Sequence, residues 1–462
     1  MRRVFALPAV LVLVLPLSAA VPAEPRSRPT EPVSRPAEPG DFNGDGRVDL
    51  AVGAPMANGR AGGSIVTFSG SDKGLVGSRR SVVPTRFDHI LVSGDFNGDG
   101  YADLAVGPPY EIADDTMTTS VNRVLVFPGS RNGVTGRGGR ALKAKAAWAD
   151  YFGQALAVGD FNADGYADLA VADEEQVRVC YGSRQGLSLT RSTSLADGMY
   201  FGEVLASGDV TGDGITDLVA TRGAEGPPED EDDYDPDKLQ KARLYIIPGR
   251  RTAGLRLRGA WSTRLSDRYF GARQLAVGDV DGDRRADVVT IMNDSDEHNS
   301  RGPTQLFRSR GRSLAPPELI SHDDERAGLG DVTGDEQAAL GDVTGDGRAD
   351  LVTIDSVVPP GVPTLKIRAG TSMGLSREAQ TLRTPEFTPV PDSFFLPFPL
   401  NLTLLNLAGD RRQEIVVGVV PRIGFVAPHH GEGYILLFRP GAWDHQTIKG
   451  PPKTAFGITL LQ

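Results

Sequence analysis

The stretch GDFNGDGYADLAVGPP at residues 94–109 decides the fold, because related copies of it recur along the chain. Each copy joins an Asp-rich and Gly-rich turn to a short run of β-branched and apolar residues, which is typical of a tight connection between strands. Other copies begin at residues 41, 159, 208, 278 and 341, and a divergent seventh copy, LNLAGDRRQEIVVG, spans residues 405–418. Successive copies lie 49 to 70 residues apart, a spacing that fits the blades of a propeller.

Two further strand-like segments accompany each turn. One follows it, as in NRVLVFPG at 122–129, and one precedes it, as in FGEVLASG at 201–208. Seven such units predict an all-β fold, a seven-bladed β-propeller. An extra Asp-rich copy at residues 331–335 leaves no room for a blade of its own. The second half of TGDEQAALGD (333–342) is therefore predicted to be the entering strand of the sixth blade.

The two ends of the repeat region indicate how the ring closes. The first unit begins at Asp41 without an entering strand, whereas the sequence finishes with FGITLLQ at residues 456–462. This tail resembles the missing segment, so the C-terminal strand is predicted to complete the first blade. That arrangement removes two exposed sheet edges.

The N-terminal region has the composition of an export signal. Residues 1–23 are predicted to be a signal peptide, because Arg2 and Arg3 precede an apolar run that ends in small residues. That run is shorter than the roughly 20 residues that cross a membrane. The expectation is a secreted, extracellular protein without a transmembrane anchor, in which residues 24–40 form a Pro-rich linker and residues 41–462 the propeller.

Composition excludes several classes of protein. The chain has 49 Lys and Arg against 60 Asp and Glu, and its net charge of -11 argues against a nucleic-acid or anionic-membrane partner. The single cysteine, Cys180, excludes a disulfide framework and Cys-based zinc sites, and it is predicted to be a buried apolar residue. The sequence carries no signal for an oligomeric state.

Oxygen-bearing side chains occupy positions 1, 3, 5 and 9 of the first six turns, counted from the first Asp. Alternate spacing points three of them into one concavity, and Gly at position 6 permits the reversal that returns position 9 to it. Oxygen-only ligands in this number favour calcium over magnesium, with the backbone carbonyl of the variable position 7 completing the cage. The predicted metal ligands are Asp41, Asn43, Asp45, Arg47 and Asp49; Asp95, Asn97, Asp99, Tyr101 and Asp103; Asp160, Asn162, Asp164, Tyr166 and Asp168; Asp209, Thr211, Asp213, Ile215 and Asp217; Asp279, Asp281, Asp283, Arg285 and Asp287; and Asp342, Thr344, Asp346, Arg348 and Asp350.

About six calcium ions are therefore predicted. The seventh turn is not counted, because Ala408 stands at position 3. In the fifth turn Arg284 replaces Gly at position 6, where it is expected to strain the backbone, and Asp281 is expected to compensate with an additional carboxylate.

The turns and the AVGAP segment at residues 51–55 resemble the FG-GAP repeat family, whose repeats form the β-propeller of integrin α-subunit ectodomains. The resemblance covers residues 41–462. It implies that the calcium loops are structural and lie on the face away from the ligand, with Asp41, Asp95, Asp160, Asp209, Asp279 and Asp342 at the first ligand position. It also implies an adhesion or binding module for an unidentified extracellular protein or glycan, and not an enzyme.

Two alternative functions stay open, a calcium-dependent enzyme acting on polysaccharide or phospholipid and a purely structural extracellular scaffold. Residues 370–374, GTSMG, match the G-x-S-x-G nucleophile pattern, but they align with GSDKGL, GSRNGV and GSRQGL of other units and are predicted to be a blade turn. No catalytic residue is predicted.

Strand alternation places the ligand face opposite the calcium turns. The connections after the second strands vary most in length and are the expected recognition loops. They span residues 111–122, 222–240, 293–302 and 420–433, with Tyr110, Tyr234 and Phe425 as aromatic candidates.

Overall fold

The computed structural model describes residues 37–54, 63–85, 90–107, 123–144, 152–173, 175–198, 200–224, 241–265, 271–293, 301–321, 334–356, 364–382, 401–419, 434–441, 443 and 445–449. These residues contain strands, turns and irregular segments, and no helix. The predicted signal peptide, most of the linker, the C-terminal strand at 456–462 and the long recognition connections lie outside the described residues.

The strands form seven antiparallel blades in chain order. The first three blades contain β1 Leu50–Ala54, β2 Gly63–Ser69 and β3 Val76–Thr85; β4 Leu91–Gly94, β5 Asp103–Val106, β6 Arg123–Phe127 and β7 Arg140–Lys143; and β8 Leu156–Gly159, β9 Asp168–Ala172, β10 Gln176–Cys180 and β11 Ser192–Ala196. The fourth and fifth contain β12 Phe201–Gly208, β13 Asp217–Arg222, β14 Arg243–Ile247 and β15 Trp261–Arg264; and β16 Gly271–Gly278, β17 Asp287–Asn293, β18 Arg301–Phe307 and β19 Glu318–Ser321. The last two contain β20 Gly334–Gly341, β21 Asp350–Ser356, β22 Thr364–Arg368 and β25 Gln380–Leu382, with a short hairpin of β23 Gly370–Thr371 and β24 Gly374–Leu375; and β26 Asn401–Leu405, β27 Glu414–Val419, β28 Tyr434–Phe438 and β29 His445–Lys449.

Six blades have four strands in an up-and-down order, and their first strands contact the first strands of neighbouring blades. The described part of the first blade has three strands, with β1 at one edge of the sheet. That edge is where the C-terminal strand is predicted to pair. Its residues are not described, so closure by the C-terminal strand stays a prediction.

Hydrogen bonds between neighbouring Asp-rich turns run around the ring. The N–H of Ala102, at position 8 of the second turn, donates to the carbonyl of Asp41 at 2.8 Å. The same bond joins the seventh turn to the first, from the N–H of Val48 to the carbonyl of Asn406 at 3.3 Å. Equivalent bonds are Ala167 to Asp95, Ala286 to Asp209, Ala349 to Asp279 and Gln413 to Asp342. These bonds join six of the seven neighbouring pairs of turns, and the seven blades form a β-propeller ring, as the repeat count predicts.

Apolar side chains fill the spaces between blades. One cluster joins Leu405 and Ile435 of the seventh blade to Leu50 of the first and Leu104 of the second. Position 2 of every turn contributes to this packing, because its side chain is almost completely buried: Phe42, Phe96, Phe161, Val210, Val280, Val343 and Leu407. Cys180 is also fully buried, which confirms its predicted packing role.

Two details of the predicted topology are confirmed. Strand β20 begins at Gly334 and pairs with β21, so the second half of TGDEQAALGD enters the sixth blade. Ala338 of strand β20 makes two hydrogen bonds to the side-chain amide of Gln274 in the fifth blade. Its N–H donates to Gln274 Oε1 and its carbonyl accepts from Gln274 Nε2, both at 2.9 Å. The GTSMG segment forms a hairpin in which Thr371 Oγ1 donates to the Gly374 carbonyl at 2.7 Å. No helix follows it within the described residues, so the requirement of a nucleophile elbow is not met.

Candidate metal loops

The second to seventh Asp-rich turns each connect the first and second strands of their blade, and the first turn leads directly into β1. In the second blade, Gly94 at the end of β4 pairs with Asp103 at the start of β5, and an eight-residue loop lies between them. The same Gly–Asp pairing closes four other loops and a Leu405–Glu414 pair closes the seventh. We call these connections, including position 9, Asp loops 1 to 7: residues 41–49, 95–103, 160–168, 209–217, 279–287, 342–350 and 406–414.

The carboxylate at position 1 organises its loop through backbone hydrogen bonds. Asp95 Oδ1 accepts from the N–H groups of Gly98 at 2.7 Å and Asp99 at 3.1 Å, and its Oδ2 accepts from Gly100 at 3.0 Å. Loops 1, 4, 5 and 6 repeat all three bonds, and loop 3 repeats those from positions 5 and 6. These bonds wrap the backbone around one carboxylate and fix its orientation.

The carboxylate at position 9 is buried at the base of each loop. Asp168 Oδ1 accepts from the N–H of Gly182 at 2.8 Å, and its Oδ2 accepts from that of Phe161 at 3.0 Å. The position therefore ties its loop to the turn after the third strand. Equivalent bonds to that turn are made by Asp49, Asp103, Asp217, Asp287 and Asp350.

Burial raises the pKa of the position-9 carboxyls. It raises the pKa of Asp168 to about 8 and that of Asp103 to about 7, with the charges at positions 5 and 1 raising each further against hydrogen bonds that lower it. Burial likewise raises the pKa of Asp49 and of Asp287 to about 7 and that of Asp217 to about 6. Like charges thus converge on position 9, and without a cation this convergence opposes its ionisation.

Position 3 lies next to position 9. The Asn43 Nδ2 atom is 3.1 Å from both carboxylate oxygens of Asp49, and the Asn97 Nδ2 atom is 3.3 Å from both oxygens of Asp103. In loop 4 the N–H of Thr211 donates to Asp217, and in loop 6 that of Thr344 donates to Asp350, both at 2.8 Å.

Loop 5 brings three carboxylates closest together. In the part of the chain that is described, its Asp279, Asp281 and Asp283 form the one acidic group whose oxygen atoms all lie within 4.8 Å of one another. The other predicted ligand sets do not reach this proximity among described residues, although their members lie in the same loops and influence one another's pKa. Asp281, whose additional carboxylate is expected to compensate for Arg284, belongs to this cluster.

Position 5 has two different environments. Its Oδ1 accepts the N–H of position 7 in all six loops, as in Asp99 with Tyr101 at 3.1 Å. In loops 5 and 6 its Oδ2 also pairs with the guanidinium at position 7, at 2.7 Å for Asp283 with Arg285 and 2.8 Å for Asp346 with Arg348. A cation would share these two carboxylates with an arginine.

The side chain at position 7 has a packing role that the repeat pattern did not predict. A Cβ added at Gly98, position 4 of loop 2, would lie 2.5 Å from the ring of Tyr166 in loop 3. Position 7 covers the glycine of the preceding loop in the same way at Tyr101 on Gly44, Arg285 on Gly212, Arg348 on Gly282, Arg412 on Gly345 and Arg47 on Gly409. The last contact joins loop 1 to loop 7, and a tyrosine or arginine at position 7 thus covers the glycine of the preceding loop in six of the seven loops, with Ile215 of loop 4 as the exception.

Arg284 occupies a backbone conformation that its counterparts fill with glycine. Its φ of 69° matches the positive values at Gly46, Gly100 and Gly347. Its N–H donates to Asp279 Oδ2 at 2.8 Å, so the conformation is needed for the loop's hydrogen bonds. The left-handed region costs an L-residue about 1 to 2 kcal/mol.

Replacing Arg284 with Gly is therefore expected to stabilise the protein by about 1 kcal/mol. Arg284→Ala, which keeps the Cβ, is the matched control and should recover little of that gain. Chemical denaturation of the three proteins measures the difference. Equal midpoints for the Gly and Ala variants would show that backbone strain is not the cause.

The seventh loop keeps the architecture with fewer ligand groups. Glu414 takes the role of position 9, because its Oε2 accepts the N–H of Leu407 at 2.9 Å. Asn406 at position 1 donates its side-chain amide to the Asp410 carbonyl. Ala408 offers no side-chain oxygen, so loop 7 serves ring closure with an incomplete ligand set.

Comparison with known proteins finds similarity in the first four of these loops. Residues 38–68 and 87–127 match the FG-GAP repeat, and residues 160–220 match the FG-GAP-like repeat. The matched repeats and the β-propeller fold make the chain similar to proteins with FG-GAP repeats.

The curated relatives it matches include three vertebrate integrins. The chain is 29% identical to integrin alpha-6 of Gallus gallus over 164 residues, which are 34% of this chain and 15% of that protein. It is 27% identical to integrin alpha-6 of Homo sapiens over 168 residues (34% and 14%) and 31% identical to integrin alpha-7 of Homo sapiens over 166 residues (34% and 13%). The matched part thus spans about one seventh of each relative. Within the described residues, no helix has the length and apolar character that a membrane span requires.

Proposed function

We propose that the chain is an extracellular, calcium-stabilised β-propeller that acts as a binding or adhesion module without catalytic activity of its own. The observation that carries the metal part is that loops 1 to 6 gather carboxylates around a buried position-9 carboxyl, where burial first and neighbouring like charges second raise the pKa to about 6 to 8 in five loops. A divalent cation removes this conflict by pairing with the ionised groups.

The donor set fits calcium. Each of loops 1 to 6 presents carboxylates at positions 1, 5 and 9, with an amide, hydroxyl or carboxylate oxygen at position 3. These hard oxygen donors suit calcium, which accepts six to eight of them in flexible geometry, better than magnesium, which retains several waters. The predicted ligand residues would hold the ion, and its charge would neutralise the loops that link neighbouring blades.

Similarity to integrin α subunits and the geometry of the blades support a binding role. Antiparallel pairing places the connections between second and third strands at the end of each blade opposite the Asp loops. The described strand ends that lead into the long connections therefore lie opposite the Asp loops, which supports separate faces for metal binding and recognition. A rigid ring with variable loops on one face suits recognition of an extracellular protein or glycan.

The binding role is tested with calcium-loaded protein on a glycan array and on a panel of purified extracellular-matrix proteins. Shortening residues 225–240 and 420–433 to tight turns should weaken capture of the ligand by tenfold or more and leave the calcium-dependent melting transition intact. Unchanged capture by both variants would remove the opposite face as the recognition surface.

Acidification is expected to stabilise the calcium-free protein. The folded-state pKa of the position-9 carboxyls lies above the unfolded value of about 4. Between these values the folded protein binds protons that the unfolded chain does not, so stability falls as the pH rises from about 4 to about 8.

Thermal melts in chelator and in excess calcium between about pH 5.5 and about pH 8 measure this effect. Calcium requires ionised carboxylates, so its presence should flatten or reverse the trend. A chelated protein whose melting temperature climbs steadily with pH would contradict the burial of protonated position-9 groups.

A further inference from the structure

Four adjacent blades carry acid-free, arginine-rich segments after their third strands. Residues 128–143, 181–196, 248–264 and 308–317 contain no Asp or Glu, although the whole chain is acidic. The corresponding connections of blades 1, 6 and 7 each contain an acid, Asp72, Glu378 or Asp444. Connections that carry arginine without an acid of their own therefore occur in blades 2 to 5, with Glu318 directly after the fourth segment.

Ten exposed arginines in these segments form a surface that we call the arginine rim. Its members are Arg131, Arg137, Arg140, Arg184, Arg191, Arg251, Arg256, Arg258, Arg310 and Arg312. Among the described residues none of the ten pairs with a carboxylate, in contrast to Arg308, which pairs with Glu318 at 2.7 Å. Ten exposed guanidinium groups on adjacent blades, without a carboxylate partner among the described residues, give this surface a local positive charge.

Hydrogen bonds between blades make the rim one continuous surface. Arg140 Nη1 of blade 2 donates to the Gln185 carbonyl of blade 3 at 3.2 Å. The N–H of Leu255 in blade 4 donates to Tyr181 Oη of blade 3 at 3.1 Å. Ser309 of blade 5 donates its hydroxyl to the Val210 carbonyl of blade 4.

The rim borders the face that carries the Asp loops. Each segment begins with a turn whose backbone N–H donates to the position-9 carboxylate of the same blade. Examples are Gly129 to Asp103 and Gly182 to Asp168. The rim is thus remote from the recognition connections, which leave the opposite ends of the strands.

We propose that the arginine rim is a docking surface for an acidic polysaccharide, a flexible chain that carries sulfate or carboxylate groups. Planar guanidinium groups bind such oxyanions through paired hydrogen bonds, which favours arginine over lysine at this kind of site. Nine of the ten rim residues lie in loops and the tenth begins strand β7, so their side chains can follow an irregular polymer.

The surroundings of the rim favour a polysaccharide over nucleic acid or membrane. The large apolar side chains exposed in the described residues are Tyr200, Leu319 and Met373, and all three lie outside the rim. The aromatic side chains of the rim segments, Tyr181 and Trp261, are partly buried, so they offer less stacking surface to single-stranded nucleic acid than exposed rings would, and the described rim has no exposed large apolar side chain to enter a lipid interface. A surface that curves around four blades also fits a flexible chain better than duplex DNA, which stays straight over roughly 150 base pairs.

The rim is tested with heparin and hyaluronate as probes, in calcium-loaded full-length protein. The variant Arg131→Gln/Arg184→Gln/Arg251→Gln/Arg310→Gln removes one charge from each rim blade. The matched control removes four exposed charges elsewhere: Lys73→Gln, Arg377→Gln, Arg411→Gln and Lys449→Gln. Surface plasmon resonance at several salt concentrations gives affinities, and thermal melts confirm that both variants are folded.

The rim variant should bind heparin at least tenfold more weakly than the wild type, with the slope of log affinity against log salt reduced by about 3. The control should change affinity less than twofold, and binding of heparin but not hyaluronate would assign sulfate as the recognised group. Equal losses in both variants, or no binding of either probe, would overturn the proposal.

Equal or tighter wild-type binding to a 30-base-pair DNA duplex or to phosphatidylserine vesicles would replace the polysaccharide with that partner. The calcium-dependent melt and the shortened-loop variants report separately on the proposed module, so failure of the rim is distinguishable from failure of that function.

Discussion

Excess calcium should raise the melting temperature of the protein by about 10 °C over the same protein in chelator. At about 10 mM calcium, a loop that binds with a dissociation constant of about 0.1 to 1 mM gains about 1.4 to 2.7 kcal/mol of folding free energy. Six loops that link neighbouring blades add their gains to one ring, so the total reaches several kcal/mol. Differential scanning fluorimetry measures the shift.

Magnesium at the same concentration is the control for ion type, and it should give a smaller shift because it retains part of its water shell. Coincident melting curves in calcium and in chelator would remove calcium as the stabilising ion. Partial occupancy after purification is expected at the affinities given and does not alter the comparison.

Gly129→Ala should destabilise the second blade by about 3 kcal/mol or more. A Cβ at this position would lie 2.2 Å from the carbonyl oxygen of Ala102 and 2.9 Å from the Cβ of Tyr101. The backbone must move to relieve this overlap, and that movement also disturbs the bond from the Gly129 N–H to Asp103. Urea denaturation monitored by intrinsic fluorescence measures the loss.

Gly77→Ala is the matched control, because no heavy atom lies within 4 Å of its added Cβ. It should leave stability unchanged or raise it slightly by restricting the unfolded chain. Similar losses in the two variants would show that close approach between backbone segments is not what requires glycine after the third strand.

The fold could be predicted because each unit repeats the same pattern of an Asp-rich turn followed by short strand segments. The Gly–Asp pair that closes most of the loops, the apolar run after it and the glycine that usually follows the third strand are all visible in the sequence, and seven copies predict the ring. The segment that follows the extra Asp-rich copy at 331–335 aligns with the entering strands of other units, and β20 Gly334–Gly341 is the entering strand of the sixth blade.

Contacts between blades could not be predicted from a single repeat. The ring of Tyr166 covers Gly98, and the amide of Gln274 bonds Ala338, although each pair is separated by more than 60 residues. Position 7 looks variable when the repeats are aligned, because tyrosine and arginine can both cover a glycine. Its constraint appears only when neighbouring loops are seen together.

Local charge is also concealed in the linear sequence. The net charge of -11 averages the Asp loops with the arginine rim, whose four segments lie in successive blades and are separated in sequence by the other strands of those blades. The predicted metal residues of each set lie in one loop, and among the described residues loop 5, where Arg284 has a positive φ, has the tightest carboxylate cluster. Spacing assigns the residues to a loop, whereas the distances between their oxygens depend on how each loop folds.

The most direct test of the metal loops is equilibrium dialysis with radioactive calcium, which counts bound ions per chain. The wild type should bind about six ions at saturation. Asp99→Asn, which keeps the Oδ1 acceptor for Tyr101 and removes the charge at position 5 of loop 2, should bind about five. A wild-type stoichiometry of one or none, or an unchanged stoichiometry and affinity in the Asp99→Asn variant, would contradict the assignment of the Asp loops as calcium sites.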